Sequence, residues 1–351
     1  MIKHLILLSV FATACASNTI TKESAPATES AVIVKPECIT KRAAFDIGSG
    51  ETRLNVSKVD TCNHKIIATE LELKEKVPYK ESMGRGKYLA QGTMQAGFKV
   101  LQTMKKEAQK FSPDSYLAVA TAAFREARNG ETFITEVNKA LKINAKIISQ
   151  KEEGDIGYYA ALASVKNPKK DFVVWDIGGS SQQIVAKDSS GNMVDYEGKL
   201  ASVSFKDRVL SEIKNQKKKS PNPLTAKEMQ DSIKLSQSFA STDVPAEIKS
   251  ILSKPDVEVI GIGGVHYYSV LKQSKPASGT NVITREEVGA TAIDLVDKDD
   301  SYFSDQKHVD TTITNVALVY GFMRGLNIQS LEIYNVNLSH GVLIHPNLWQ
   351  K

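Results

Sequence analysis

Short apolar runs that end in glycine-containing turns dominate the hydrophobic pattern of this sequence from residue 43 onward. Residues 43–47 and 173–177 are apolar runs of strand length, each interrupted by one aspartate and each followed by glycine. After each turn the chain continues in a second apolar run, which begins at Leu54 in the first case and at Ile184 in the second. A glycine turn between two such runs is a hairpin signal, so the pattern predicts two β-hairpins.

The two predicted hairpins share one motif, which recurs 130 residues later in the chain. In both copies the first strand ends in Asp-Ile-Gly, with the aspartate at Asp46 in one copy and at Asp176 in the other. A motif repeated at corresponding places indicates a duplicated domain. We therefore expect a cleft between two similar halves, where ligands commonly bind.

The turns have the composition of anion-binding loops. Glycines let backbone N–H groups converge on a phosphate because no Cβ blocks its approach, and hydroxyl groups add donors. A bare carboxylate would repel phosphate, so Asp46 and Asp176 are candidate ligands of a cation or of a water. For Arg53, an ion pair within its own domain is an equally good interpretation. The candidate phosphate-binding residues are Gly48, Ser49, Gly50, Thr52 and Arg53 in the first copy and Gly178, Gly179, Ser180 and Ser181 in the second.

A third glycine turn follows a further apolar run. The predicted strand at residues 257–260 leads into a turn at residues 261–264 and then into a helical stretch. Gly263 and Gly264 are therefore candidate phosphate contacts as well. The alternative is a tight strand-to-helix turn that binds nothing.

Two charged residues follow predicted elements that would bring them to the same cleft. Arg125 comes after the apolar strand predicted at residues 116–120, and ligands bind at the C-terminal edge of α/β sheets. The alternative for Arg125 is a helix-surface charge that pairs locally. Ser149-Gln150-Lys151-Glu152 fits a capping box, which assigns Glu152 to the helix start and leaves Glu153 free to face the cleft. Without further information, Glu153 is also compatible with an ordinary surface position.

Composition narrows the class of protein without identifying its chemistry. The chain has 351 residues, of which 41% are hydrophobic and 24% are charged. These values exclude a collagen, a disulfide mini-scaffold and an intrinsically disordered protein. A net charge of +5 favours anionic partners, but it is far from that of a dedicated nucleic-acid binder, so we expect no nucleic-acid partner. A homodimer is compatible with the sequence.

The N-terminus has the layout of an export signal. A weakly basic start and a short apolar run are followed by small residues before Cys15. This resembles a bacterial lipoprotein signal and predicts an exported, periplasm-facing envelope protein that contacts the membrane only through a lipid on Cys15. A plain signal cut after Ala14, or a frayed cytoplasmic N-terminus, is the alternative. No apolar run reaches the ~20 residues that a membrane-spanning helix needs.

The remaining two cysteines lie symmetrically about the first turn. Cys38 precedes Gly50 by 12 residues and Cys62 follows it by 12 residues. In an antiparallel hairpin both would lie at the open end, away from the turn, and an exported protein can keep a disulfide there. We therefore predict a Cys38–Cys62 bridge.

The sequence resembles the exopolyphosphatase / guanosine pentaphosphate phosphohydrolase (Ppx/GppA) family, of the actin, sugar-kinase and Hsp70-like superfamily. The two Asp-Ile-Gly turns correspond to its phosphate loops, and residues 120–129 match its Ala-Thr-x-x-x-Arg-x-Ala-x-Asn segment. Residues 147–153 are similar to its strand leading into a Glu-Glu helix, and residues 338–343 to its closing segment. The resemblance runs in the family's order from about residue 43 to residue 343.

This resemblance implies an α/β fold of two ribonuclease-H-like (actin-like ATPase) domains with an interdomain cleft. It implies that Glu153 activates water, that Arg125 contacts phosphate, and that Asp46 and Asp176 surround Mg²⁺ and the scissile phosphate. We divide the chain into a signal peptide (1–14), a lipidated N-terminus and flexible tether (15–38), a first domain (39–160) and a second domain (161–351), with C-terminal helices near the hinge.

Several positions depart from the family pattern. Gly50 and Glu51 stand where the first loop usually has Asn-Ser, and Gln183 replaces a carboxylate near the second loop. The expected function is hydrolysis of polyphosphate or another phosphate-rich anion, releasing terminal orthophosphate by Glu-activated water attack with Mg²⁺. The departures motivate an alternative, a non-catalytic exported lipoprotein that binds phosphate, polyphosphate or a nucleotide. A third interpretation, a sugar or nucleoside kinase of the same fold, lacks a sugar-binding signature.

Overall fold

The structure is a computed structural model and describes residues 35–84, 86–165, 172–274, 276, 280–303 and 308–349. The predicted signal peptide, the lipidated Cys15 and most of the tether lie outside the described residues. Within the described part, no helix combines the length and the apolar character needed to cross a bilayer.

The described residues form eleven strands and eleven α-helices. The strands are β1 (Ile39–Ile47), β2 (Glu51–Asp60), β3 (Lys65–Lys76), β4 (Ser115–Ala120), β5 (Asn144–Ile147), β6 (Phe172–Ile177), β7 (Gln182–Lys187), β8 (Met193–Gly198), β9 (Glu258–Ile262), β10 (Val282–Thr284) and β11 (Ser330–Ile333). The helices are α1 (Gln91–Gln109), α2 (Ala122–Glu126), α3 (Gly130–Leu141), α4 (Gln150–Ser164), α5 (Ser202–Arg208), α6 (Ala226–Asp243), α7 (Ala246–Leu252), α8 (Lys272–Ser274), α9 (Arg285–Asp294), α10 (Val309–Gly325) and α11 (Leu338–Ile344). Two π-helical segments span Val209–Ile213 and Val265–Leu271, and two 3₁₀ segments span Pro36–Cys38 and Asp300–Phe303.

The strands form two mixed sheets built on the same plan. The first has the order β3-β2-β1-β4-β5 and the second the order β10-β11-β9-β6-β7-β8. In each, an antiparallel three-strand meander (β1–β3 or β6–β8) continues on its first strand into parallel pairing with β4 or β9. Both hairpins predicted from the Asp-Ile-Gly motif are therefore confirmed, as β1–β2 and β6–β7.

Side-chain alternation divides the first sheet into a core face and a cleft face. Phe45 and Leu54 point with Ile47 and Val56 into a hydrophobic core that also contains residues of α1 and α3. The opposite face carries Ala44, which packs in a separate cluster with residues of α4 and α11. Because Asp46 lies two residues from Ala44, its side chain is on this second face.

Helices α4 and α11 fill the space between the two sheets. Tyr158 and Ala161 of α4 pack on Val174 and Ile260 of the second sheet. Helix α11 packs on α4 and on strands β1 and β2, which connects the C-terminal segment to the first sheet. The second sheet buries its other face, which includes Trp175, against α6 and α10. This arrangement brings the ends of β1 and β6 to either side of α4.

A disulfide joins Cys38 and Cys62 at the open end of the β1–β2 hairpin, as the sequence predicts. The two Cα atoms lie 5.5 Å apart. The neighbouring pair Ile39 and Asp60 closes the ladder at this end, and the N–H group of Thr61 donates to the Cys38 carbonyl at 2.9 Å. The bridge therefore lies at the end of the hairpin remote from the Gly48 turn.

Candidate active site

Three acidic side chains from three elements meet between the sheets. Asp46 lies at the C-terminal end of β1, Asp176 at the C-terminal end of β6, and Glu153 in the first turn of α4. In addition to burial, which is the largest cause, the negative charge of Glu153 raises the pKa values of both aspartates, and that of Asp46 raises the pKa of Asp176. The two halves of the repeat therefore place their aspartates within electrostatic reach of one carboxylate on the helix between them.

Burial makes this cluster unfavourable in its fully ionised form. Asp46 is 8% exposed, and desolvation raises its pKa well above the usual range, although the charge of Arg53 works in the opposite direction. Desolvation also raises the pKa of Asp176. Oδ1 of Asp46 is buried and has no hydrogen-bond partner among the described residues. Concentrated negative charge with an unsatisfied oxygen is the environment that a cation stabilises.

Glu153 is held by Arg125. The Arg125 Nη1 group donates to Oε2 of Glu153 at 2.7 Å and to the carbonyl of Ile148 at 3.0 Å. Glu153 is 7% exposed, and burial raises its pKa, while the charge and hydrogen bond of Arg125 counteract that rise. Arg125 and Glu153, which the sequence predicts at one site, thus form an ion pair.

The start of α4 explains why Glu153, and not its neighbour, faces the cleft. Ser149 accepts a hydrogen bond from the Glu152 N–H group at 3.1 Å, and the Glu152 carboxylate accepts one from the Ser149 N–H group at 2.8 Å. This is the predicted capping box, and it keeps Glu152 at the helix start. Glu153 is rotated by about 100° around the helix axis relative to Glu152, which turns it inward.

The two glycine turns have the same backbone structure. The N–H group of Gly48 donates to the Glu51 carbonyl, and that of Gly178 donates to the Ser181 carbonyl, each at 2.9 Å. These two predicted phosphate contacts therefore already use their amides inside the turn. Ser180 is half-buried at the apex of its turn.

Segments outside the motif support the first turn. The carbonyls of Ser49 and Gly50 accept hydrogen bonds from the N–H groups of Lys80 and Val77, at 2.9 and 3.1 Å. These bonds fix the turn against the chain that follows β3. The backbone amides of Ser49 and Gly50, and of Gly179 in the second turn, remain the best-placed predicted donors. The motif does not predict the hydrogen bonds that Lys80 and Val77 donate to the first turn.

The structure does not bring the Thr52 side chain to the cleft, contrary to the sequence prediction. Thr52 is fully buried and lies beside Tyr79 on the core face of the first sheet. The reason is the two-residue period of the strand: Arg53 faces the cleft, so its neighbour cannot. Ser181 is also buried, and its hydroxyl accepts a hydrogen bond from Gln183 Nε2 at 3.3 Å.

The third glycine turn contacts the acidic cluster through one of its two candidate residues. Gly263 has a φ of +84°, and a Cβ on it would overlap Oδ1 of Asp176. Its N–H group donates to the Val336 carbonyl at 3.1 Å. Gly264 has an ordinary φ of −68°, and a Cβ on it would lie 3.8 Å from a ring carbon of Tyr268, its nearest neighbour. The turn thus supports Asp176, and glycine is required at position 263.

Arg53 and its neighbours form a charged row beside Asp46. In the strand register Asp46 pairs with Arg53, and Arg53 pairs with Lys74 on β3. The Arg53 Nε group donates to Glu51 at 2.7 Å, and Lys74 Nζ lies 3.0 Å from the same carboxylate. Although burial acts in the opposite direction, these two cations hold the pKa of Glu51 below its ordinary value.

Lys74 and Tyr268 are residues of the cleft that the sequence motifs do not reveal. Lys74 lies in a strand of alternating charged residues with no local signature, and only the register of β3 places it near Arg53. In the second sheet Gln183 has the place that Arg53 has in the first, as the partner of Asp176. The two halves of the repeat therefore carry different side chains beside equivalent aspartates.

His266, the histidine nearest the third turn, is a core residue. It is completely buried against Trp175, with ring centroids 4.8 Å apart, and its Nδ1 lies 2.9 Å from the Ile262 carbonyl. Desolvation lowers its pKa to about 4. A neutral histidine that faces away from the cleft has no role at the acidic cluster.

Curated relatives match about half of the chain. Over 168 residues (46% of the chain) it is 30% identical to a bifunctional 3-dehydroquinate synthase/phosphatase of Fusobacterium nucleatum, of which 24% is covered. Over 166 residues (47% of the chain) it is 26% identical to a guanosine-5'-triphosphate,3'-diphosphate pyrophosphatase of Pseudoalteromonas atlantica, of which 32% is covered. The matched regions thus span a third or less of these relatives.

Solved structures match nearly the whole chain. A Ppx/GppA family member from Aquifex aeolicus covers 87% of this chain and 97% of its own, with a TM-score of 0.71 and 19% identity. An exopolyphosphatase from Cytophaga hutchinsonii covers 86% and 96%, with a TM-score of 0.68 and 15% identity. These likenesses confirm the predicted α/β fold of the actin-like ATPase type. The family model for Ppx/GppA phosphatases matches residues 56–348, and the chain therefore belongs to the Ppx/GppA phosphatase family.

Proposed function

We propose that this protein is a phosphoanhydride hydrolase that removes terminal orthophosphate from inorganic polyphosphate. The observation that carries the proposal is the buried Glu153 carboxylate, which is paired with Arg125 and faces Asp46 and Asp176 between two glycine turns. This arrangement supports a general base beside a set of groups suited to a phosphate and its counter-ion. Membership of a phosphatase family supports the reaction class.

The acidic cluster fits Mg²⁺. Asp46 and Asp176 would hold the ion, because hard carboxylate oxygens are its preferred protein ligands and Oδ1 of Asp46 has no hydrogen-bond partner in the part of the chain that the structure describes. Bound Mg²⁺ would neutralise charge on the phosphate oxygens and so favour their approach to the carboxylates.

Each remaining step is assigned to a residue of the chain. Glu153 accepts a proton from water, whose oxygen attacks the terminal phosphorus; the bond to the bridging oxygen breaks, and orthophosphate and a chain shorter by one phosphate are released. The raised pKa of Glu153 suits this task, since a base works best when its pKa is near the operating pH. Arg125 orients Glu153 and stabilises negative charge on the transferred phosphoryl group.

Polyphosphate is favoured over a nucleotide by the export signal predicted at the N-terminus. An exported protein would seldom meet guanosine pentaphosphate or ATP, which are made in the cytoplasm. We propose that a lipid on Cys15 anchors the protein to the bacterial envelope, facing the periplasm. Replacement of Cys15 by alanine should move the protein from the membrane to the soluble fraction, and an unchanged distribution would contradict the anchor.

Glu51 and Gln183 motivate a second candidate, a binding protein without turnover. Glu51 adds negative charge beside the first turn, and Gln183 offers Mg²⁺ only a neutral amide oxygen in place of a carboxylate. Such a protein would retain phosphate or polyphosphate without releasing orthophosphate.

Orthophosphate release from tripolyphosphate with Mg²⁺ separates the two candidates. Glu153→Gln should lose at least about 10²-fold in kcat, the usual contribution of a general base. The matched control is Glu152→Gln, because glutamine also completes a capping box and helix α4 stays intact. Binding without turnover in the wild-type protein, or equal rates in the wild type and Glu153→Gln, would reject the hydrolase.

A further inference from the structure

A groove opens beside the acidic cluster along strands β2 and β3. Its volume is about 240 Å³, and it runs between the first sheet, the π-helical segment Val265–Leu271 and the start of α11. Its polar lining includes Arg53, Lys74, Tyr268, Asn337, Ser339 and His340. Because Arg53 is the strand partner of Asp46, the groove begins next to the carboxylates.

The strand register makes the groove a line of charge that leads away from Asp46. Asp46, Arg53 and Lys74 occupy one row across β1, β2 and β3 on the same face of the sheet. Adjacent strands are about 4.8 Å apart, so the row extends about 10 Å from the carboxylate. A phosphate held at Asp46 would therefore have two cations in succession behind it.

An aromatic contact holds Lys74 at the groove. Lys74 Nζ lies over the Tyr268 ring at 5.4 Å from its centroid, and Lys272 Nζ lies over the same ring at 5.0 Å. Since cations already cover this ring, it is poorly suited to stack a nucleobase. Its effect is to order the ammonium group of Lys74, the strand partner of Arg53.

The groove also contains its own counter-ions. The Glu51 carboxylate contacts both Arg53 and Lys74. Glu72, which lines the groove, accepts a hydrogen bond from Asn55 at 3.1 Å and lies 3.0 Å from His340 Nε2. Glu72 thus contacts Asn55 and His340, whereas Glu51 contacts both Arg53 and Lys74 and takes the place that a phosphate group would have between these two cations.

A larger cavity, of about 310 Å³, offers no comparable site. It lies at the opposite end of β1, and three of the charged residues in its lining, Lys41, Glu70 and Asp114, already have partners. Lys41 contacts Glu70 at 2.8 Å, and Asp114 accepts hydrogen bonds from Thr40 and from the Lys41 N–H group, each at 2.8 Å.

We propose that the groove binds the phosphate groups behind the scissile bond and that it selects an inorganic chain of three or more phosphates. The incoming chain displaces Glu51 from Arg53 and Lys74 and takes over their charge. The inference rests on the proposed function for the position of the scissile phosphate, and it adds the residues that recognise the remainder of the substrate.

Calorimetric binding to the Glu153→Gln protein tests the groove independently of turnover. Lys74→Met should weaken tripolyphosphate binding about tenfold or more, the effect of one lost charge-assisted contact, and leave orthophosphate binding unchanged. The control, Lys65→Met, removes an exposed lysine from the other end of β3 and should change neither affinity. Glu51→Gln should tighten tripolyphosphate binding, because the competing carboxylate is gone.

The outcomes separate the groove from the proposed function. Equal tripolyphosphate affinities in the Lys74→Met and parent proteins would overturn the groove, as would tighter binding of ATP than of tripolyphosphate. Length-dependent binding that requires Lys74, without hydrolysis by the wild-type protein, would support the groove and reject the hydrolase. Hydrolysis whose KM for tripolyphosphate is unaffected by Lys74→Met would support the hydrolase and reject the groove.

Discussion

Replacing Gly263 by alanine tests whether catalysis depends on the position of Asp176. An L-residue pays about 1–2 kcal/mol to adopt left-handed backbone, and Gly263 has a φ of +84°. The new Cβ would overlap Oδ1 of Asp176, so the carboxylate must withdraw by about 1 Å to reach an ordinary van der Waals separation. A displacement of that size reduces turnover by about 10²-fold. We therefore expect a folded protein with severely reduced activity.

The assay is orthophosphate release from tripolyphosphate with Mg²⁺, together with urea unfolding. Gly263→Ala should lower kcat/KM about 10²-fold while lowering the free energy of unfolding by only about 1–2 kcal/mol. Gly264→Ala is the matched control, because its φ is −68° and its nearest neighbour would be 3.8 Å away. The reasoning is refuted if Gly263→Ala keeps more than half of the wild-type activity, or if both variants lose activity equally.

Three further predictions concern stability. Burial lowers the pKa of His266 to about 4, below its value of ~6.5 in an unfolded chain. Its contribution to the free energy of unfolding is therefore complete at neutral pH and is lost as the pH falls. Between pH 7 and 5 the free energy of unfolding decreases by about 2 kcal/mol for this reason. Urea unfolding of His266→Gln should lack this part of the pH dependence, and parallel pH profiles would contradict it. Replacing Cys38 and Cys62 by serine should lower the free energy of unfolding by about 3 kcal/mol, for a sequence separation of 24 residues; a denaturation midpoint equal to that of the oxidised wild type would contradict this. Gly341→Ala should destabilise by about 1–3 kcal/mol, because its Cβ would collide with the backbone of α4, whereas Gly157→Ala, with 3.6 Å to its nearest neighbour, should leave the thermal midpoint nearly unchanged.

Local signals in the sequence were sufficient to predict the two hairpins and the start of α4. Apolar runs around Gly48 and Gly178 form β1–β2 and β6–β7, and the Ser149–Glu152 capping box forms as predicted. These features depend on residues close together in the chain, where backbone preference and hydrogen bonding are local.

Long-range geometry accounts for what the sequence did not reveal. The sequence predicts Glu153 and Arg125 at one cleft but not their ion pair, because they are 28 residues apart and the packing of α4 on the sheets brings the two side chains together. Lys74 reaches the cleft through the register of β3, which includes irregularities that no motif encodes. Thr52 was predictable in principle, because strand alternation excludes adjacent residues from one face.

The strand partners of the two aspartates distribute charge unequally between the two sides of the cleft. Arg53 stands beside Asp46, whereas the equivalent position beside Asp176 is the uncharged Gln183. With Lys74 beyond Arg53, the Asp46 side of the cleft carries two cations that Glu51 neutralises in the free protein, whereas the strand partner of Asp176 carries no charge. A phosphate ligand that displaces Glu51 would therefore turn its free oxygens toward Arg53 and Lys74. The asymmetry of a duplicated fold would thereby select one of two orientations that a symmetric repeat would have left equivalent.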